Sequence, residues 1–179
     1  MKTEGVSSLE KLSLLFELSR SFSSLIELEE LLPYIIAKTK EVLQAESCSL
    51  LLLDEERQEL YFPVISDASP EIEARVKEIR FPAGKGIAGW VLQHGMPTRV
   101  TDVARDERWY GEVDRSTGEQ TRDLLYAPLR TRRGVIGVIG LRNKQVETFS
   151  EEDLLFLEAL AGAIAVAMEH ASLYHQVRQ

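Results

Sequence analysis

The chain has 179 residues, 44% of them apolar, and a formal charge of -8 from 21 Lys and Arg against 29 Asp and Glu. That length suits one domain of roughly 100 to 200 residues with its own core, which needs neither disulfides nor a structural metal to fold. The acidic balance argues against a phosphate-backbone partner, so no nucleic acid is expected. One cysteine, Cys48, rules out an internal disulfide and two-thiol redox chemistry and suits a reducing compartment.

No apolar run reaches the roughly 20 residues of a bilayer span, the longest being 159–168. Glu4, Glu10 and several serines interrupt any signal-peptide core. A cytoplasmic chain with no membrane partner is expected.

Ser7 and Glu10 have capping-box spacing, and Leu9, Leu12, Leu15, Leu18, Phe22 and Leu25 recur at helical intervals, which predicts a helix over about 8–24. A second is expected over about 28–44, with Leu28, Leu31, Leu32, Ile35, Ile36 and Leu43 on its apolar stripe and Pro33 in its opening turn. The period then shortens to that of strands over 47–53 and 60–65, joined as a hairpin across the polar 54–58. Ser69 and Pro70 open a short helix to about Glu78, followed by a short strand at 79–81, the loop 82–86, a brief helix to Gly95, and a strand at 98–101. Residues 102–122 are polar and irregular, too long for a mere connection, and carry Trp109 and Tyr110 as a candidate lid. Strands at 124–130 and 135–144 flank the turn Thr131, Arg132, Arg133, Gly134. Ser150 and Asp153 cap a last helix whose stripe, from Leu154 and Leu157 to Tyr174, runs on with no stop signal. That pattern suits a piece of a longer protein or a helix made to meet a partner. The element order reads as α+β with an antiparallel sheet.

Gly84, Gly86 and Gly89 match G-x-G-x-x-G, with Asp106 about 20 residues on, but a dinucleotide fold needs a long crossover helix between parallel strands. Tight-turn and close-packing roles fit these glycines better, and no triphosphate-loop spacing follows Lys85. His170 and His175 are five apart on one helix and His94 stands alone, so no metal site is expected. Cys48 in an apolar strand reads as an inert thiol. No motif calls for a required cofactor, and the residues point to a binding module rather than an enzyme.

Five stretches in one order resemble the GAF domains, closest to those of cyclic-nucleotide phosphodiesterases and some bacterial adenylyl cyclases. They are Cys48, Ser49, Leu50; FPAGKGIAGW over 81–90; DERWY over 106–110; VDRSTGEQTRDLL over 113–125; and Asn143, Lys144, Phe149 and Asp153, with Leu154 where the subset has a final glutamate. The resemblance implies a central antiparallel sheet of about six strands, terminal helices on one face and ligand-pocket loops on the other. It divides the chain into an N-terminal signalling or dimerisation helix at 1–26, the domain at 27–174, and a helix end at 175–179 leading to a partner or effector. It implies ligand contacts at Ser49, Ile65, Ser66, Ile87, Ala88, Tyr110, Asp114, Thr117, Thr121 and Gly140. Ile65 and Ser66 stand where nucleotide-binding members have an aromatic stacker and an acid, and Gly140 where they have a glutamate. Asn143, Lys144, Phe149 and Asp153 are implied to be structural, Lys144 and Asp153 as an ion pair from the last strand to the last helix.

Each residue also has a plainer role. Thr117 with Gly118 suits a turn, Asp114 a capping carboxylate, and Trp109 with Tyr110 an apolar plug. Three functions follow for testing. One is a sensor that takes a small molecule, a cyclic nucleotide or similar, and signals through terminal helices to an effector in the same longer chain. Another is a homodimerisation module with a vestigial pocket. The third, reduction of free methionine sulfoxide as in certain free-standing family members, needs several cysteines.

Overall fold

The structure, a computed structural model, describes residues 2–19 and 25–178, with side-chain surroundings for 8–16 and 27–171. Leu18, Phe22, Leu25 and Tyr174 of the expected apolar stripes, and His175, have side chains outside the described residues. The elements are α1 (Lys2–Ser19), α2 (Leu25–Val42), β1 (Ala45–Asp54), β2 (Glu59–Asp67), α3 (Pro70–Lys77), β3 (Arg80–Pro82), α4 (Gly86–His94), β4 (Thr98–Val100), a 3-10 turn (Val103–Arg105), α5 (Glu112–Thr117), β5 (Leu124–Thr131), β6 (Gly134–Lys144) and α6 (Glu151–Arg178). All strands pair antiparallel in one sheet of order β3-β2-β1-β6-β5-β4, giving an α+β fold.

Side chains alternate between the two faces of this sheet. Cys48 and Leu50 of β1, Leu125, Ala127 and Leu129 of β5, and Ile139 and Leu141 of β6 face one layer of helices. There they meet Leu28, Leu32, Ile35 and Ile36 of α2 and Leu157, Leu160 and Ile164 of α6 in the larger core. Leu14 of α1, only 2% exposed, joins the same core, so α1 packs on α2 and α6. The opposite face carries a second core, with Leu51, Leu60, Phe62, Ile65 and Val138 under Phe81, Ala88 and Val91.

Three sequence expectations are corrected. Helix α1 begins at Lys2, so the Ser7 and Glu10 pair lies within the helix rather than at its cap. Helix α2 begins at Leu25, which puts Pro33 in its interior rather than its opening turn. Pro33 is exposed, so water can reach the carbonyl whose hydrogen bond the ring removes. The 102–122 stretch holds α5, six residues closed by Gly118 in the left-handed region at φ 77, too short to show a helical period. Helix α6 also contains an 18-residue stretch of mean hydropathy 1.6, enough by length and composition alone for a bilayer span. Its Leu157, Leu160, Ile164 and Ala165 are fully buried in the larger core.

Two expected caps form as the spacing requires. Ser69 accepts from the Ile72 N–H with Pro70 in the first turn of α3. Ser150 and Asp153 cap α6 reciprocally, Asp153 N–H to Ser150 Oγ at 3.1 Å and Ser150 N–H to Asp153 Oδ2 at 3.0 Å.

Candidate functional site

The second face of the sheet is hollow in the middle because its central strands carry small residues there. One rung runs Ile65, Ser49, Gly140, Tyr126 across β2, β1, β6 and β5, and the next runs Asp67, Ser47, Arg142, Leu124. Over them lie the first turn of α4 and the segment through Trp109, Tyr110 and α5, enclosing a cavity of about 60 Å³. That volume has room for a few waters.

The cavity wall contains Ile65, Ile87, Ala88, Tyr110, Asp114, Thr117 and Thr121 of the residues chosen from sequence. Ser49 and Gly140 share the rung of Ile65 without entering the wall. Ser66 does not come to the cavity. It pairs with Cys48 in line with Leu141 and Leu125, so the period of two turns it toward the helices.

The polar groups are largely committed to one another. Asp114 accepts from the Thr121 backbone N–H at 2.7 Å and hydroxyl at 2.8 Å, so it caps the turn after α5. The Thr117 hydroxyl donates to the Val113 carbonyl at 3.0 Å and accepts from the Glu119 N–H. By contrast, the first N–H groups of α4 have no intrahelical partner, and Lys85, Gly86, Ile87 and Ala88 bring that turn to the cavity. Gly86 allows the approach, with φ 76 and a Cβ position 3.0 Å from Tyr110 Cβ. At Gly89 a Cβ would stand 2.7 Å from the Ala83 carbonyl, so the G-x-G-x-x-G glycines serve turn and packing.

Sequence reasoning missed Tyr126, Phe81 and Arg142. The Tyr126 ring lies on Gly140, where a Cβ would sit 2.0 Å from Cε1, and burial together with the Asp114 carboxylate pushes its pKa up to about 12. Phe81 packs between Phe62 and Tyr110, with centroids 6.1 and 6.0 Å away. Arg142 was within reach, because two steps along β6 from Gly140 return to the same face. Outside this wall, Trp109 and Tyr110 also border an open groove of about 350 Å³. There Asp106 holds the Arg108 guanidinium at 2.7 Å, with its carbon 4.5 Å from the Trp90 ring. That ion pair keeps the Asp106 carboxyl below its ordinary pKa.

Asn143, Lys144, Phe149 and Asp153 lie away from the cavity. Asn143 accepts from the Arg122 N–H at 2.7 Å and donates to the Gln120 carbonyl at 2.9 Å and to Glu46 at 3.0 Å. Lys144 Nζ meets Asp153 Oδ2 at 2.9 Å, and Phe149 is buried beside them. The loop bearing Thr121 is thereby tied to β6, and β6 to the start of α6. Among the described residues, no group of three or more His, Cys, Asp and Glu could hold a metal. Cys48 is buried on the helix face, where burial pushes its thiol pKa upward, so it offers no ready thiolate.

A family model described as GAF domain matches residues 26–169. The chain is 30% identical over 184 residues to the probable 3',5'-cyclic phosphodiesterase pde-5 of Caenorhabditis elegans, covering 98% of this chain and 25% of that protein. It therefore spans about a quarter of that relative's length. The GAF domain of an Acinetobacter phosphoenolpyruvate-protein phosphotransferase superposes with a TM-score of 0.74 at 22% identity, over 96% of this chain and 98% of that one. A free methionine-R-sulfoxide reductase from Neisseria meningitidis, solved with its substrate, gives 0.76 at 18%, over 97% and 93%. Both solved structures share the fold, at identities that carry no statement about activity.

Proposed function

Since the chain belongs to the GAF domain family, whose members are regulatory small-molecule-binding modules, we propose that it senses a small ligand in the cavity and relays binding through its terminal helices. A cyclic nucleotide is the ligand class favoured by the phosphodiesterase relative. The observation that carries the reading is the cavity itself, where the first turn of α4 meets Ile65, Tyr110, Asp114, Thr117 and Thr121. Free N–H groups at that turn suit a phosphate, and Thr117, Thr121 and Asp114 suit ribose or base edges once their internal bonds exchange.

Pockets for such ligands measure roughly 300 to 1,000 Å³, so binding requires the roof to move. Trp109 and Tyr110, which separate the cavity from the outer groove, are the segment to move. The relay runs from Thr121 through Asn143 and Lys144 to Asp153 at the head of α6. From there it reaches an effector in the same longer chain, beyond 175–179. Residues 1–26 act with α6 in a cytoplasmic homodimer, for which Leu9 and Leu12 of α1 and Leu155 and Val166 of α6 offer exposed apolar surface. Light scattering on the eluted peak reads twice the monomer mass if this is right and the monomer mass if it is wrong.

A second reading, a dimerisation module with a closed pocket, is favoured by the small cavity and the committed Thr117 and Thr121 hydroxyls. A thermal-shift screen with cyclic nucleotides and other small metabolites separates the two. Sensing requires a saturable shift that Asp114→Ala weakens. A flat response to every compound leaves only dimerisation.

A further inference from the structure

Arg142 lies in the cavity wall with its side chain 18% exposed, and three carboxylates converge on it. Its Nη2 is 2.8 Å from Asp67 Oδ2 and also meets the Glu119 carboxylate. Its Nη1 is 3.8 Å from Asp114 Oδ1 and 3.5 Å from the Thr121 hydroxyl. One guanidinium cannot neutralise three anions, so their mutual repulsion falls on whichever is held least firmly.

The three are held very differently. Asp67 has a side chain 2% exposed, and its other oxygen accepts from the Ser69 N–H at 2.9 Å, so withdrawing it from Arg142 would strand a buried charge. Asp114 has both oxygens bonded to Thr121. Among the described residues, Glu119 Oε2 is buried without a hydrogen bond and its one ion-pair partner is Arg142. Glu119 also follows Gly118, which has φ 77, is exposed, and has nothing within 4 Å of its Cβ position, so no side chain packs over that turn.

We propose that Arg142 is the anion receptor of the cavity and that Glu119 is its tethered occupant, displaced when a ligand's carboxylate or phosphate takes its place on the guanidinium. The proposal rests on reading the cavity as a ligand site, yet its test needs no nucleotide. A side chain already seated on the receptor lowers the apparent affinity for any free anion by the fraction of time the receptor is vacant. A ligand that displaces Glu119 also moves the residues next to Gln120 and Arg122, which Asn143 grips.

The test follows melting temperature against inorganic phosphate at constant ionic strength, in the wild type, Glu119→Gln, and Glu119→Gln with Arg142→Lys. The lysine keeps a charge beside Asp67, so the fold survives, but it loses the two-pronged grip on an oxyanion. Glu119→Gln is expected to half-saturate at a phosphate concentration at least about 10-fold lower than the wild type, and the added lysine to reverse that gain. Repeating the series with acetate tells a carboxylate ligand from a phosphate one by which anion gains more. Equal phosphate dependence in the wild type and Glu119→Gln, or a gain that survives Arg142→Lys, overturns the proposal. Amide exchange over 118–121 in the wild type gives an independent reading, with faster exchange in saturating phosphate expected and no change contradicting it. If phosphate behaves as expected while cyclic nucleotides do not bind, the receptor stands and only the ligand class changes.

Discussion

A methyl group added at Gly140 tests how the floor of the cavity is built. The Cβ of Gly140→Ala would sit 2.0 and 2.2 Å from Tyr126 Cε1 and Cδ1. Carbon atoms pack at about 3.5 Å or more, so the ring must move by about 1.5 Å, away from the sheet and into the cavity. Such overpacking costs about 1 to 3 kcal/mol. Replacing glycine where φ is not positive returns about 0.4 to 1 kcal/mol through the unfolded chain. The net expectation is a loss of about 0.5 to 2 kcal/mol in the presence of Tyr126. In a Tyr126→Ala background the obstacle is gone, so the same substitution becomes neutral or stabilising by up to about 1 kcal/mol. Urea unfolding of the four proteins, followed by circular dichroism, gives both numbers. An equal cost in the two backgrounds would refute the claim that Gly140 is the seat of the Tyr126 ring.

Further outcomes follow from the packing and ion pairs. Leu14→Ala costs about 2 to 5 kcal/mol in urea unfolding if α1 belongs to the core, and almost nothing if α1 is an appendage. Asp153→Ala removes both the α6 cap and the partner of Lys144, and is expected to cost about 2 kcal/mol or more by the same measurement, against about 1 kcal/mol for Ser150→Ala. Burial holds the Asp123 carboxyl above its ordinary value of 3.8, so the folded state keeps a proton that the unfolded state has released just above that pH. Stability contributed by this group therefore falls as pH rises through the folded value. Asp123→Asn should melt higher than the wild type at neutral pH, with the gap closing below about pH 4, and a gap independent of pH contradicts this. Amides of 106–110 should exchange faster than those of β6 in ligand-free protein and slow on binding, whereas β6-like protection without ligand would remove the lid.

Strong periodicity made the fold legible. The apolar stripes of α2 and α6, the short apolar runs of β1 and β6, and the caps at Ser69 and Ser150 each state their element locally. Helix α5 was hidden because six residues closed by a glycine are shaped by what they pack against. Site residues were legible only as far as a motif or a strand period reached. Ser66 shows the limit of a motif match, which takes it together with Ile65 although the period of two turns neighbouring strand residues to opposite faces. Arg142 and Glu119 meet across more than twenty residues of chain, and nothing in either neighbourhood announces the pairing.

The most direct measurement is calorimetric titration of the chain with cyclic AMP and cyclic GMP. The account predicts saturable binding weaker than about 1 μM, or about 8 kcal/mol, because Ile65 offers no ring to stack on a base. It also predicts little preference between the two bases, and weaker binding in Asp114→Ala, Thr117→Ala and Thr121→Ala. Binding much tighter than 1 μM with a strong preference for one base, or binding untouched by all three substitutions, would contradict it.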